Sequence, residues 1–241
     1  MLATRVIPVV LYNGTQAVKS VRFDSLRNVG SLIQVARVYE QRQVDELVFL
    51  DIAARGRGVG PDFKSVGSFA IELSCPFTVG GGIRDLNDIE NLFALGADKV
   101  ALVCGLRDQW LDLVRASASR FGSQAIVATL DVKLGVTRRI GENFLETLKK
   151  LEDSGAGEIL LNDMARDGTR SGFNLSLIAK ASRYVKPPLI INGGCSDPAD
   201  CAPAIRAGAH AVAASSIFHF TASTPEDCKV AMREAGIMVR L

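Results

Sequence analysis

The chain has 241 residues, 48% apolar and 22% charged, with a formal net charge of +2. That composition supports a large buried core and includes no apolar run long enough to cross a bilayer. The small net charge and dispersed Lys and Arg residues exclude the striped basic surface of a nucleic-acid-binding protein.

Cys75, Cys104, Cys195, Cys201 and Cys228 lie apart without a C-x-x-C pair, and the two histidines, His210 and His219, sit in no metal-ligand spacing. Free thiols are therefore expected, with no disulfide framework, no metal and no cofactor. The first apolar run is too short for a secretory signal, so the expected location is cytoplasmic.

In chain order, a β-branched strand is predicted over residues 6–11. A long loop follows, carrying Lys19 either as a mobile cation that closes over a ligand or as a solvated side chain. A helix over 32–43 leads to a strand over 47–50 that ends on Asp51, and strands over 77–79 and 100–103 come next. A helix over 108–121 precedes a strand over 125–130 that ends on Asp131. A helix over 143–153 is then followed by strands over 159–161, 189–191 and 211–214. Connections this long suit parallel strands, and eight such units predict one (β/α)8 barrel over residues 1–241.

The two halves repeat. Val-Gly-Gly-Gly-Ile-Arg-Asp ending at Asp85 matches Ile-Asn-Gly-Gly-Cys-Ser-Asp ending at Asp197, an offset of 112 (197 minus 85). The same offset carries Glu46 onto Glu158, Asp51 onto Asp163, Ala53 onto Ala165 and Gly96-Ala97 onto Gly208-Ala209. Gly-Ala before a strand is common in such barrels, but matched acids at both ends of one strand point to duplicated half-barrels, about 1–121 and 122–241.

Gly81 and Gly82 follow one strand and precede a helix, and Gly193 and Gly194 do the same. Each pair suits either a tight turn or a phosphate cradle, because glycine lets backbone N–H groups approach an anion at a helix start. Two such cradles on opposite sides of the mouth suit a phosphate at each end of a ligand. Gly193, Gly194, Ser215 and Ser216 further match the phosphate site made by the last two βα loops of such barrels. Asp131 and Asp51, ending strands, are candidate acid/base groups, with a cap on the following turn as the alternative for Asp131. Asp167 and Gly168, in Arg-Asp-Gly-Thr, bind ligand hydroxyls or phosphate, or form an Asp-Gly turn. At the opposite end, Arg5, Glu46, Lys99 and Glu158 each open a strand. Pointed inward they would form a paired charge ring, and pointed outward a solvated surface.

The segments Asp-Glu-Leu-Val-Phe-Leu-Asp-Ile ending at Ile52, Pro-Phe-Thr-Val-Gly-Gly-Gly-Ile ending at Ile83, Gly-Ala-Asp-Lys-Val ending at Val100 and Gly-Ala-Gly-Glu-Ile-Leu-Leu ending at Leu161 resemble the cyclase subunit of imidazole glycerol phosphate synthase. So do Phe-Gly-Ser-Gln-Ala ending at Ala125, Arg-Asp-Gly-Thr ending at Thr169 and Phe-His-Phe ending at Phe220, so that the likeness spans essentially the whole chain. The resemblance implies a two-phosphate substrate, a glutaminase subunit at the barrel bottom and ammonia passing through the barrel. It makes Arg5, Glu46, Lys99 and Glu158 gate residues and Asp98 a glutaminase-facing residue.

Three departures fall at the chemical end. Asp131 matches one family aspartate, but the other falls on Leu11, beside Tyr12. Val103 and Cys104 replace the polar pair of the first phosphate region, and the loop after Asp131 reaches Glu142 without the family's hairpin. The opening Val-Ile-Pro-Val-Val-Leu-Tyr and the segment from Val18 to Phe23 resemble cyclase-like proteins encoded with surface polysaccharide genes. That likeness implies ammonia supply to a separate amidotransferase that converts an acetamido sugar to an acetamidino sugar. The alternatives are a working histidine-pathway cyclase, with Asp51 or Tyr12 replacing the lost aspartate, and a barrel that only scaffolds its glutaminase.

Overall fold

The computed structural model describes residues 3–103, 108–132 and 140–240. In chain order it runs β1 (Arg5–Tyr12), β2 (Ala17–Ser20), β3 (Leu26–Gly30), α1 (Leu32–Gln41), β4 (Leu47–Asp51), α2 (Ala54–Arg57), α3 (Phe63–Ala70), β5 (Phe77–Gly80), α4 (Leu86–Ala94), β6 (Lys99–Val103) and α5 (Asp108–Phe121). It continues with β7 (Ile126–Val132), α6 (Ile140–Asp153), β8 (Glu158–Asp163), α7 (Leu175–Ser182), β9 (Leu189–Asn192), α8 (Cys201–Arg206), β10 (Ala211–Ala214), α9 (Ser216–Phe220) and α10 (Pro225–Glu234).

The eight strands β1 and β4 to β10 pair in parallel, and β10 returns to β1 with Arg5 opposite Ala211, closing a (β/α)8 barrel. Closure leaves these strands no open edge, and each is covered inside by other strands and outside by helices, which accounts for their nearly continuous apolar sequences.

The pleat sorts each strand into two faces. Along β1, Ile7, Val9 and Leu11 belong to the interior cluster, whereas Val6, Val10 and Tyr12 join the larger core beneath the helices. β4 divides the same way: Val48 and Leu50 face in, and Leu47 and Phe49 face out. The outer layer is tightened by aromatic contacts, with Phe49 at ring-centroid distances of 5.6 Å from Tyr12, 5.2 Å from Phe69 and 6.3 Å from Phe77. Helix starts are fixed by side-chain caps. Asp62 accepts from Ser65 N–H, Asp85 from Asp88 N–H and Asn174 from Leu177 N–H, each satisfying a donor the helix itself leaves open.

One segment departs from expectation. The residues after β1, predicted as an irregular loop, form the antiparallel hairpin β2–β3, joined to the top of β1 through Leu11 opposite Val18. Its turn holds Arg22 at φ 52° and Phe23 at φ 63°, a left-handed conformation without the glycine or asparagine that would have signalled it. Among the described residues no helix is long and apolar enough to cross a membrane.

Phe49 is fully buried at the centre of the aromatic group. Phe49→Ala should lower unfolding free energy by about 3–5 kcal/mol, the range for large-to-small core changes, as a reduced urea midpoint with unchanged m-value.

Candidate functional site

The carboxyl ends of the barrel strands open into a cavity of about 620 Å³. Alternation on β7 turns Thr129 and Asp131 toward it, because Ile126, Ala128 and Leu130 pack outward. Asp131 accepts from Asn162 Nδ2 at 3.1 Å, and Asn162 Oδ1 accepts from Asn192 Nδ2 at 2.8 Å. A polar strip therefore crosses β7, β8 and β9. Leu11, on the inner face of β1, borders the same cavity, as do Leu50 and Val103.

Lys19 is not on a mobile loop. It is buried on β2, with Nζ at 2.6 and 2.8 Å from the carboxylate oxygens of Asp167, and Ser20 Oγ reaches the same carboxylate at 3.3 Å. Arg22 N–H adds a 2.8 Å bond to the Asp167 carbonyl, so the hairpin is fastened to the segment after β8. Gly168, Gly193, Gly194, Ser215 and Ser216 meet beside this pair in a small recess that Arg170 also lines. The hydroxyls of Ser215 and Ser216 are buried there without a protein hydrogen-bond partner, and Thr129 Oγ1 is in the same condition within the main cavity. Buried donors of this kind are costly unless something satisfies them. Sequence reasoning missed Thr129, Asn162, Asn192 and Arg170, since nothing local sets them apart from other strand or loop residues.

Two acid/base candidates are held by partners of their own. Asp51 borders the cavity, but it alternates with Leu47 and Phe49, and its Oδ1 accepts the backbone N–H groups of Ala53 and Ala54 at 3.0 Å each. It caps the turn that follows β4. Asp163 does the same with Ala165 at 3.0 Å and Arg166 at 3.3 Å. Tyr12 lies on the outer face of β1 with its hydroxyl 3.1 Å from Asp62 and 2.9 Å from Ser65, and burial together with the carboxylates of Asp62 and Asp51 raises its pKa against the opposing bond to Ser65. Gly81 and Gly82 border the cavity at φ 98° and 75°. A Cβ on Gly81 would stand 2.2 Å from the Asp51 carbonyl, and one on Gly193 2.7 Å from that of Asp163, so both turns need glycine for packing alone. Cys104 and the segment after Asp131 at 133–139 lie outside the described residues. Among the described residues, no group of three or more His, Cys, Asp or Glu side chains is arranged to hold a metal ion.

At the amino-terminal end the four charged residues converge. Arg5 bonds Glu46 and Glu158 through separate guanidinium nitrogens, while Lys99 Nζ lies 3.1 Å from Glu46 and 2.8 Å from Glu158. Each cation thus touches both anions, and Thr78 Oγ1 donates to Glu46 at 2.9 Å. Burial opposes the charge on Glu158, but hydrogen bonds and attraction from Arg5 and Lys99 overcome it and depress its pKa below 4.5. Arg5 is raised, its burial outweighed by Glu158 and Glu46. Asp98 is exposed beside this face and accepts from Phe77 N–H at 2.8 Å.

The histidine biosynthesis protein family profile matches residues 5–224. The chain is 40% identical to a Campylobacter jejuni protein provisionally named imidazole glycerol phosphate synthase subunit hisF2, with all of both chains covered. It is 39% identical to the HisF subunit of imidazole glycerol phosphate synthase from Thermobifida fusca and 38% identical to that from Streptomyces coelicolor, each over 99% of both chains.

The ring predicts a pH signature. Because the folded-state pKa of Glu158 lies below its unfolded value of about 4.5, its contribution is fully present above that value and is lost as pH falls through the folded pKa. In urea titrations below about pH 5, Glu158→Gln should flatten the fall in stability relative to the unaltered protein. Identical slopes for the two would mean the ring does not hold Glu158 ionised.

Proposed function

The chain belongs to the histidine biosynthesis protein family, as a HisF-type cyclase subunit of imidazole glycerol phosphate synthase, and from that premise we propose that it receives ammonia from a glutaminase docked at the ring side and conveys it up the barrel. Cyclase subunits of this family operate with such a glutaminase. Arg5, Glu46, Lys99 and Glu158 act as the gate, and exposed Asp98 faces the partner. Above them Gly193, Gly194, Ser215 and Ser216 cradle a phosphate, with Lys19, Asp167 and Gly168 along its edge. The two halves of the chain are a duplication, a reading supported by the matching caps of Asp51 and Asp163.

We further propose that the cyclase site is degenerate and that the ammonia serves a separate amidotransferase acting on an acetamido sugar of surface polysaccharide. The observation that carries this is Leu11, which occupies the inward position on β1 while the ring below is complete. Of the two substitutes weighed from the sequence, Tyr12 is turned outward, and the Asp51 carboxylate, at the cavity edge, caps a turn. Losing one positioned acid/base group costs about 10²- to 10⁴-fold in rate. The second reading, a working histidine-pathway cyclase, is favoured by the near-full-length identity to the Thermobifida and Streptomyces HisF subunits.

With free ammonia and the substrate of the cyclase reaction, the protein should turn over about 10²- to 10⁴-fold more slowly than a HisF subunit, and Leu11→Asp should recover part of the loss. Turnover at the usual rate of the family would establish the histidine-pathway reading instead. In the complex with its glutaminase, Lys99→Met should reduce glutamine-dependent product formation while sparing the reaction with added ammonia. Equal losses in both would sink the gate assignment.

A further inference from the structure

A groove between α1, the end of β3 and α9 carries polar groups that neither the charge ring nor the phosphate recess uses. It follows the face of α1 that presents Val35, Val38 and Tyr39 at helical spacing, with Arg42 just past the last turn. Phe218 and His219 of α9 close its other side. The space enclosed is about 230 Å³.

Tyr39 is 1% exposed, and its hydroxyl is buried without a protein hydrogen-bond partner. Burial raises its pKa against the pull of Arg42, so it remains a donor at neutral pH. His219 stands edge-on to it with ring centroids 5.9 Å apart, and burial, Lys19 and Arg42 lower the His219 pKa to about 4, which leaves the ring neutral with one N–H. Charge here has one sign. Among the described residues no carboxylate lines the groove, Arg42 is the one cation that does, and the charges acting on Tyr39 and His219 are those of Arg42 and Lys19. Glu40, the neighbour of Tyr39, is engaged by Ser74, whose N–H it accepts at 2.8 Å. Ser31 gives α1 no side-chain cap, and no acidic residue stands in its first turn. A buried donor without an acceptor is costly, and a positive surrounding selects an anion to satisfy it.

We propose that this groove binds a small organic carboxylate with an apolar tail. The carboxylate accepts from the Tyr39 hydroxyl and from the planar fork of Arg42, whose geometry matches it. Val35, Val38 and Phe218 receive the tail. Val38 is 43% exposed, so the tail withdraws from water apolar surface that the fold leaves open. A phosphate is the poorer fit, since one guanidinium leaves about one of its negative charges unmatched.

NMR titration of the whole chain, with the tyrosine and histidine rings isotope-labelled, tests this, because only three tyrosines and two histidines contribute signals. Hexanoate should shift the ring signals of Tyr39 and His219. It should bind at least about tenfold more tightly than acetate, which lacks the tail, or hexylammonium, which reverses the charge. Arg42→Gln and Tyr39→Phe should each weaken hexanoate by about three- to tenfold. In the free protein Tyr39→Phe should leave the urea midpoint unchanged or higher, since it deletes a donor that has no partner. No binding of hexanoate, shifts that spare both rings, or hexylammonium or acetate binding as tightly would overturn the proposal. So would displacement of hexanoate by inorganic phosphate, which would put it in the recess beside Ser216 instead. A lowered midpoint for Tyr39→Phe would overturn it as well, by giving the hydroxyl a partner inside the protein.

Discussion

A closed barrel of parallel strands gives each strand one face that can meet only the other strands, and side chains reach it at every second position. Everything functional here is set by that parity. Along β1 the inward sequence is Arg5, Ile7, Val9, Leu11, and along β8 it is Glu158, Leu160, Asn162. Charge enters at the amino-terminal layer, aliphatic carbon fills the middle, and polar groups return at the last inward residues of β7, β8 and β9. Shifting any strand by one residue would bury Tyr12 or Asp163 inside and push Arg5 or Glu158 beneath the helices, so the register of the core and that of the site are one specification.

The two ends of this interior handle polarity in opposite ways. At the amino-terminal end, two cations and two anions are mutually satisfied, with Glu46 almost wholly buried and further bonded by Thr78. Such a cluster tolerates desolvation because no member is left without an opposite charge. At the carboxyl end, carboxylates outnumber cations among the described residues, and three hydroxyls are buried without protein partners.

Much of this was legible in the sequence because it depends on period and offset. Eight short apolar runs with long connections define the barrel, and Arg5, Glu46, Lys99 and Glu158 stand at equivalent strand starts, so that convergence follows from closure alone. The hairpin was not legible: its turn is made by Arg22 and Phe23 at positive φ, which carry no turn signature. Missing it misplaced Lys19, whose partner Asp167 lies 148 residues away. Asp51 and Tyr12 were hard to place for a different reason. Both stand where strands end, and the sequence does not show that the Tyr12 ring packs on the outer face while Asp51 caps a turn at the cavity edge. Thr129, Asn162 and Asn192 share the inward face with Asp131 but look like ordinary strand residues until the strands are laid side by side.

Asp167 holds the hairpin by its carboxylate, through Lys19 and Ser20, and by its carbonyl, through Arg22. One residue after β8 therefore acts as the rivet for an arm grown from the top of β1, on the far side of a chain half. The hairpin that brings Phe23 and Leu26 to the cavity and the recess lined by Gly194 and Ser216 therefore share one point of attachment, at Asp167. The width of the cavity and the shape of the recess are not independent dimensions of this molecule.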